Sequence, residues 1–233
     1  MERISFVNVA RHILKRCEKE KKHTAKASWV HRQWNDPYVK QAKRENLRSR
    51  AAFKLRDLNK KFDIIRHGDT VLDLGAAPGG WTQIAAVESC GKHDRSRTRV
   101  IAVDLVPMQS VEGASIVVGD FRDPAIRDDI SEILGGRAVD VVLSDMAPRF
   151  TGHFLNDSQQ QLRLCYNALL MAELYLKVGG NFVTKVLQSE DLGEFREKMK
   201  TQFKTVKGFK PTSSRSESTE LFFVGRGYRG DSI

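Results

Sequence analysis

Short apolar runs alternate with longer amphipathic stretches from residue 69 onward. The runs are rich in valine, isoleucine and leucine, and they cover residues 71–74, 100–104, 115–118 and 139–143. Runs of this kind are typical of parallel strands buried on both faces, with helices in the connections between them. The pattern predicts an α/β fold with an open, doubly wound, mostly parallel sheet and helices on both of its faces.

Two amphipathic segments and three more strands complete the predicted elements. Residues 48–62 have apolar side chains at near-helical spacing, which predicts a helix with Ser49 as its cap. A second helix is predicted from about residue 158 to 177, ended by Gly179 and Gly180. The three further strands, which bring the total to seven, are expected at residues 181–187, around 203–209 and at 220–224.

Length and composition set the class of protein. The chain has 233 residues, of which 40% are hydrophobic and 29% charged, which fits one globular domain or a domain with an appendage. No stretch approaches the roughly 18 consecutive apolar residues of a membrane-spanning helix, so we expect no membrane partner. Cys17, Cys90 and Cys165 are far apart, and this spacing predicts neither a disulfide framework nor a Cys-x-x-Cys metal site.

The positive charge is concentrated at one end of the chain. Lysine and arginine number 39 against 29 aspartates and glutamates, a net charge of +10. Residues 1–60 hold 17 of the basic and only 6 of the acidic side chains, so the remainder is nearly neutral. A basic segment attached to a neutral domain favours a polyanionic partner such as RNA, although a solvated basic tail is the alternative.

These features divide the chain into a basic N-terminal extension, residues 1–47, and a catalytic domain, residues 48–233. Within the extension, Trp29, Trp34 and Tyr38 are interleaved with basic side chains, as in segments that stack on bases and contact phosphates. The same aromatic residues are equally compatible with packing onto the main domain. The start of the chain is also basic enough for a mitochondrial transit peptide, but its glutamates weaken that interpretation.

Residues 73–81, with the sequence DLGAAPGGW, form a strand that runs into a glycine-rich turn and a helix. Gly75 permits a tight turn, and Gly79 and Gly80 let backbone approach a ligand at the helix N-terminus. Asp104 ends the second strand and is placed to accept hydrogen bonds from ribose hydroxyls. Asp120 follows the third strand and is a candidate for an adenine amino group. Together these residues predict an adenosine-containing cofactor.

Two cofactors compete for this site. A dinucleotide such as NAD requires G-x-G-x-x-G, whereas residues 75–80 read GAAPGG, with alanines and a proline where a pyrophosphate needs close backbone approach. S-adenosylmethionine has no pyrophosphate, so we favour it. The six histidines show no ligand spacing, so no metal is predicted.

Seven motifs, taken in order, resemble the FtsJ/RrmJ family of RNA ribose 2′-O-methyltransferases. The resemblance covers about residues 28–229. The motifs are SRAAFKL at 49–55, DLGAAPGGW at 73–81, VDLVPM at 103–108, GDFRD at 119–123, SDMAP at 144–148, TKV at 184–186, and KP with SRSESTE at 210–220. The resemblance implies the S-adenosylmethionine-dependent methyltransferase fold, with an antiparallel last strand in a seven-stranded sheet.

The resemblance also implies which residues act. The family's catalytic Lys-Asp-Lys-Glu tetrad corresponds to Lys54, Asp145, Lys185 and Glu220. Its cofactor contacts correspond to Pro78, Gly79, Gly80, Trp81, Asp104, Asp120 and Asp145. The polar segment 213–219 occupies the family position that lines the RNA-facing rim. Two departures are a longer connection at residues 89–99, as in mitochondrial members, and Arg149 where the family frequently has asparagine.

Methyl transfer to a ribose hydroxyl needs a residue that deals with the hydroxyl proton. Lys185 is the family's candidate for accepting it, which requires the amine to be neutral. Alternatively, Lys185 stays charged and stabilises a developing alkoxide, while the proton leaves through Asp145 or water. We favour the first mechanism.

The expected function is S-adenosylmethionine-dependent methylation of a uridine ribose in the A-loop of large-subunit ribosomal RNA. A transfer RNA methyltransferase, a non-catalytic ribosome-assembly or RNA-binding factor and an NAD-dependent oxidoreductase are the alternatives. The expected partner is ribosomal RNA or the large ribosomal subunit, not DNA, because the 2′-hydroxyl distinguishes RNA. We expect a monomer in the mitochondrion, with a bacterial cytoplasm as the alternative compartment.

Overall fold

The computed structural model describes residues 36–90 and 98–230, which form parts of two compact units, Met1–Asn46 and Leu47–Ile233. In the first unit, helix α1 spans Pro37–Arg44. Asp36 caps this helix, since its carboxylate accepts hydrogen bonds from the backbone N–H groups of Tyr38 and Val39 at 3.0 and 3.3 Å. Residues 1–35 of the predicted RNA-contacting extension, residues 1–47, lie outside the described residues, and so do Trp29 and Trp34.

The second unit contains a seven-stranded sheet with helices on both faces. Its strands are β1 (Val71–Leu74), β2 (Val100–Asp104), β3 (Ala114–Val118), β4 (Val139–Ser144), β5 (Leu176–Leu187), β6 (Phe203–Phe209) and β7 (Glu220–Tyr228). Its helices are α2 (Ala51–Phe62), α3 (Gly80–Cys90), α4 (Pro124–Leu134), α5 (Phe154–Tyr175) and α6 (Leu192–Gln202). The strand order is β3-β2-β1-β4-β5-β7-β6, and β7 runs antiparallel to both of its neighbours. The predicted fold class is confirmed.

Helix α2 begins later than predicted, and its cap is different. The helix starts at Ala51, and the capping position is Arg50, which makes no side-chain capping hydrogen bond. The prediction that Ser49 caps this helix is therefore wrong. Its hydroxyl lies instead against Gly80, where an added Cβ would come 2.2 Å from the Ser49 Oγ. A close contact between two chain segments thus takes the place of a local cap.

The connection between α5 and β5 also differs from the prediction. Helix α5 ends at Tyr175 and β5 begins at the next residue, so Gly179 and Gly180 do not end the helix. They lie in a bulge of β5, where the register against β4 shifts. Gly179 has a φ of +86°, and a Cβ on Gly180 would lie 2.9 Å from the Asp140 backbone oxygen. The two glycines are required by this compact bulge.

Two buried clusters cover the two faces of the sheet. Side chains of α2 and α3 pack against one face, and those of α4, α5 and α6 against the other. Strand β7 contributes to both, because Phe222 belongs to the first cluster and the adjacent Phe223 to the second. This packing holds the carboxyl ends of β1, β2, β4 and β5 at one edge of the sheet. Among the described helices, none is long and apolar enough to cross a membrane.

Candidate active site

A cavity of about 410 Å³ opens at the carboxyl ends of the parallel strands. It lies where the strand order reverses between β1 and β4, the usual ligand position in open α/β sheets. Its lining is made of Gly75, Ala77, Val103, Asp104, Leu105, Gly119, Asp120, Phe121, Arg122, Asp145, Met146, Ala147, Leu164 and Asn167. Three predicted cofactor residues, Asp104, Asp120 and Asp145, are among them.

The turn after β1 fixes Asp104. Gly75 has a φ of +73°, and a Cβ there would lie 2.3 Å from the Met146 Cγ, so the turn requires glycine. The Asp104 carboxylate accepts hydrogen bonds from the backbone N–H groups of Ala77 and Val106, each at 2.8 Å and each to a different oxygen. A carboxylate oxygen has a second lone pair, so both oxygens can also accept from ribose hydroxyls.

Asp120 lines the same cavity but is ion-paired to Arg122. The Arg122 Nε lies 3.0 Å from both carboxylate oxygens, and its Nη2 lies 2.5 Å from one of them. The hydrogen bonds from Arg122 are the main reason that the pKa of Asp120 lies below its usual range. Contact between Asp120 and an adenine amino group stays a prediction. An adenine bound there would share the Asp120 carboxylate with Arg122.

Pro78, Gly79, Gly80 and Trp81 do not appear in the lining of this cavity. Trp81 is only 2% exposed, and its indole N–H donates to the Ala51 backbone oxygen at 2.9 Å. A Cβ on Gly79 would lie 2.6 Å from the Arg48 Nη1, so this glycine makes room for Arg48. Cofactor binding by the four residues stays a prediction based on the resemblance.

The four tetrad residues form two ion pairs. Lys54 Nζ lies 2.7 Å from Glu220 Oε2. Lys185 Nζ donates a hydrogen bond to the backbone oxygen of Asp145 at 2.6 Å and lies 3.2 Å from its carboxylate Oδ1. Both lysine side chains are largely buried, with 11% and 6% of their surface exposed. The sequence-predicted tetrad is thus assembled as two partly buried ion pairs.

The topology explains how residues so distant in the sequence meet. Asp145 directly follows β4, Lys185 lies on the neighbouring β5, and Glu220 is the first residue of β7. Lys185 is paired across the strands with Phe222, two residues from Glu220, so both tetrad members belong to the same sheet face. Lys54 reaches this face from α2, with its Nζ 5.8 Å from the centre of the Phe222 ring.

Opposing effects act on Glu220. Burial raises the pKa of its carboxyl. The charges of Lys54 and Lys185 and the hydrogen bonds from Lys54 and Ser218 lower it by more, so the net pKa lies below the usual value. The influence of Lys185 on this carboxyl shows that the two ion pairs are electrostatically connected. Glu220 therefore stays ionised and paired with Lys54 below the pH at which an ordinary glutamate takes up a proton.

Comparison with known proteins identifies the family. The family model described as FtsJ-like methyltransferase matches residues 47–228. The chain belongs to the FtsJ-like methyltransferase family. This match confirms the resemblance drawn from the seven motifs.

Individual relatives of this FtsJ-like methyltransferase are similar over most of their length. A protein of Acidiphilium cryptum is 45% identical and covers 94% of this chain and 92% of its own. One of Acinetobacter baumannii is 41% identical, with 91% and 96% covered, and one of Gluconobacter oxydans is 44% identical, with 90% and 75% covered. All three are named ribosomal RNA large subunit methyltransferase E.

A solved structure is similar as well. A crystal structure from Plasmodium falciparum, described as that of a ribosomal RNA methyltransferase, superposes with a TM-score of 0.70 at 25% sequence identity. It matches 79% of this chain and 100% of its own.

Within residues 36–90 and 98–230, no group of three or more histidine, cysteine, aspartate or glutamate side chains could hold a metal ion.

The sequence motifs did not single out Asp73 as an ionisable group near the site. This carboxyl is 1% exposed, and burial raises its pKa to about 7, opposed by a hydrogen bond from Thr82 Oγ1 at 2.7 Å. The charges of Asp145 and Asp104 raise the pKa further. The other oxygen, Oδ1, accepts no hydrogen bond from the described residues. Its position inside an apolar strand was the signal that this carboxyl is unusual.

We predict that Asp73→Asn changes the pH dependence of stability. A raised pKa means that the folded protein binds the proton more tightly than the unfolded chain, so the free energy of unfolding falls as pH rises toward about 7. Between about pH 5 and about pH 8, the free energy of unfolding of the wild type should fall by roughly 3 kcal/mol more than that of the variant. Urea unfolding at both pH values measures this, with the exposed Asp129→Asn as the control. If the difference in unfolding free energy between Asp73→Asn and wild type is the same at both pH values, the prediction is wrong.

Gln161 and Cys165 of α5 both donate hydrogen bonds to the backbone of Lys185, which the sequence did not indicate. The pairing of β4 with β5 ends at Ser144 and Thr184, so the backbone oxygen of Lys185 has no partner on β4. Gln161 Nε2 donates to this oxygen at 2.7 Å and also to that of Met146 at 3.2 Å. Cys165 Sγ donates to the Lys185 oxygen at 3.1 Å, and burial raises the thiol's pKa to about 11, which keeps the donor protonated.

Proposed function

We propose that this FtsJ-like methyltransferase transfers a methyl group from S-adenosylmethionine to a ribose 2′-hydroxyl of large-subunit ribosomal RNA. The observation that carries the proposal is the meeting of Lys54, Asp145, Lys185 and Glu220 beside a cavity that Asp145 itself lines. The names of the relatives support ribosomal RNA as the substrate. The A-loop uridine is the specific target that we propose.

The cavity suits a positively charged cofactor. Asp104, Asp120 and Asp145 line it, and Arg122, the one cation among the described residues of the lining, is paired with Asp120. A volume of about 410 Å³ is within the range of cofactor sites. The carboxylates favour a sulfonium and an ammonium group, whereas the pyrophosphate of NAD would face repulsion. The donor set thus fits S-adenosylmethionine and disfavours the oxidoreductase alternative.

When bound, S-adenosylmethionine supplies an electrophilic methyl carbon on a sulfonium sulfur. Asp145 lines the cavity and contacts Lys185, so it links the cofactor site to the tetrad. During methyl transfer, Lys185 Nζ would take the proton of the ribose hydroxyl. Lys54 and Glu220 form the second ion pair of the tetrad, and their pairing would orient the substrate.

A charged Lys185 is the second candidate for the mechanism. In the structure its Nζ donates to the Asp145 backbone oxygen and lies beside the Asp145 carboxylate, contacts that suit an ammonium group. In that case Lys185 stabilises the developing alkoxide, and the proton leaves through Asp145 or water. Both mechanisms place the amine next to the reacting oxygen.

The remaining parts of the proposal concern partners and compartment. We infer that the basic extension contacts RNA and that the protein acts as a monomer. The relatives named above are bacterial, which agrees with a bacterial cytoplasm, and the mitochondrial location stays a prediction. The longer connection at residues 89–99, which favoured mitochondria, lies mostly outside the described residues. A transfer RNA substrate and a non-catalytic ribosome-assembly factor are the alternatives.

Transfer of labelled methyl groups tests this proposal. The full chain is incubated with labelled S-adenosylmethionine and large-subunit ribosomal RNA, ribosomal subunits or transfer RNA, and the product is hydrolysed with alkali. A methylated ribose protects the adjacent phosphodiester, so we expect label in an alkali-resistant dinucleotide that maps to the A-loop. Label in a base, label only in transfer RNA, or no transfer at all would each overturn the assignment.

Arg215 lies in the loop that we propose as the RNA-facing rim. Arg215→Ala should weaken RNA binding and reduce the slope of log affinity against log salt by about 0.7 to 0.9, as expected for one lost phosphate contact. Filter binding at several salt concentrations measures the slope. Lys198→Ala, at an exposed position on α6, is the control and should leave the slope unchanged. An unchanged slope in Arg215→Ala would exclude the contact.

A further inference from the structure

One face of α2 contacts the loop that leads into β7. Arg50, Lys54 and Asp57 are spaced four and three residues apart, so they lie on the same side of this helix or its first turn. Lys54 binds Glu220, the first residue of β7. The other two contact the β6–β7 loop, residues 210–219. Arg50 Nη2 donates to the Ser213 backbone oxygen. The helix therefore contacts this loop at Ser213 and the strand that follows it at Glu220.

Asp57 makes the densest set of these contacts. A single carboxylate oxygen, Oδ2, accepts three hydrogen bonds, from Thr212 Oγ1 at 2.8 Å, Ser213 Oγ at 2.9 Å and Ser213 N at 3.0 Å. Hydrogen bonds to an ionised acceptor are about twice as strong as neutral ones. The start of the β6–β7 loop is therefore fixed to the same helix that carries Lys54, one turn away.

The rest of the loop transmits this attachment to Glu220. Lys210 Nζ donates to the backbone oxygens of Ser216 and Ser218 at 3.1 and 2.8 Å. Ser218 Oγ in turn accepts a hydrogen bond from the backbone N–H of Glu220 at 3.2 Å. These hydrogen bonds, together with the loop backbone between them, connect the Asp57 carboxylate to the backbone of a tetrad residue.

We propose that Asp57 is a positioning residue for methyl transfer, which ties the β6–β7 loop to α2 so that Glu220 stays paired with Lys54. The inference rests on the proposed function, because it assigns Asp57 a role through Glu220. Asp57 does not line the cofactor cavity, and its hydrogen bonds are to Thr212 and Ser213, not to a tetrad residue. A displacement of about 1 Å at a reacting centre can cost roughly 100-fold in rate, so a loosened loop affects catalysis without touching the substrate.

Two substitutions at Asp57 separate geometry from charge. Asp57→Ala removes the acceptor and should lower the single-turnover rate of methyl transfer about 10- to 50-fold. Asp57→Asn keeps one oxygen for the same donors and should retain at least about a third of the rate. Both variants lose the same negative charge, so equal losses in the two would contradict a role in positioning. Asp129→Ala, which removes an exposed carboxylate from α4, is the matched control and should keep the wild-type rate.

A double-mutant cycle tests whether Asp57 acts through Glu220. In a Glu220→Gln background the loop no longer holds the carboxylate in place, so Asp57→Ala should cost less than about twofold in rate. The dissociation constant for S-adenosylmethionine should stay within about threefold of wild type in every variant. Losses that multiply in the double variant, or a wild-type rate in Asp57→Ala, would overturn the proposal. If Asp57→Ala does not fold, Ser213→Ala removes one of the three donors and should give a smaller loss with the same dependence on Glu220.

The same experiment separates this inference from the proposed function. If wild-type protein transfers no methyl group to ribose, or if Glu220→Gln keeps the full rate, the proposed function fails. If both of these results are as expected and Asp57→Ala behaves additively, only the positioning role of Asp57 fails.

Discussion

Lys185→Ala is expected to lower the rate of methyl transfer by roughly 10²- to 10⁴-fold, the range of general acid–base catalysis. The side chain is almost fully buried between β5 and the segment after β4, where its Nζ contacts both the backbone oxygen and the carboxylate of Asp145. Alanine removes the proton acceptor in one mechanism and the alkoxide-stabilising charge in the other. Either mechanism therefore predicts a large loss.

The affinity for cofactor should survive this substitution. Lys185 does not line the cavity, so the dissociation constant for S-adenosylmethionine, measured by calorimetry, should stay within about tenfold of wild type. Lys177→Ala is the matched control on the same strand, because the half-exposed Lys177 pairs with Asp140 near the starts of β5 and β4, at the other end of these strands from the site. Near-normal turnover in Lys185→Ala would exclude it from the reaction.

Asp145→Asn is expected to have two effects, because Asp145 is the one tetrad residue that lines the cofactor cavity. Loss of the carboxylate charge should weaken S-adenosylmethionine binding about tenfold or more, since a charge interaction of about 1.4 kcal/mol corresponds to that factor. The rate at saturating cofactor should fall as well, by roughly 100-fold, because the contact with Lys185 changes.

Glu220→Gln provides the comparison for Asp145→Asn. Glu220 lies outside the cavity lining, so its substitution should reduce the rate and leave cofactor affinity near wild type. Calorimetry and single-turnover kinetics on both variants measure the difference. Equal cofactor affinity in Asp145→Asn and Glu220→Gln would show that the Asp145 charge does not act on the cofactor.

The strands were predictable where apolar runs are short and clearly bounded. Strands β1, β2 and β6 have the predicted bounds, because each is a short run delimited by glycine, aspartate or a helix end. The junction of α5 and β5 was not predictable in this way. Gly179 and Gly180 are as typical of a helix end as of a bulge, and only the pairing with β4 distinguishes the two.

The tetrad was identified by its resemblance to a family, and no single member would have been recognised alone. A lysine on an amphipathic helix and a glutamate at a strand start are ordinary surface residues in sequence. Asp57 and Gln161 were missed for the same reason, because their role lies in contacts with residues far away in the chain. The Gln161 signal was further hidden in a run of three glutamines.

The glycine-rich turn shows how a correct motif can have a further physical reason. From the sequence, we explained Gly79 and Gly80 by the close approach of backbone to a ligand. In the structure, the side chains of Arg48 and Ser49 also lie against these two glycines. Arg48 then donates to the backbone oxygens of Gln109 and Ser110 at 2.7 and 2.6 Å. These are contacts between segments that local spacing does not encode.

A crystal structure of the full chain with S-adenosylmethionine, or a non-reactive analogue, and an RNA fragment tests the central claim most directly. We predict that the sulfonium lies in the cavity beside the Asp145 carboxylate, with the ribose 2′-oxygen about 3 to 3.5 Å from the methyl carbon and within hydrogen-bonding distance of Lys185 Nζ. A cofactor bound elsewhere, or a methyl carbon that faces away from Lys185 and Glu220, would contradict the account.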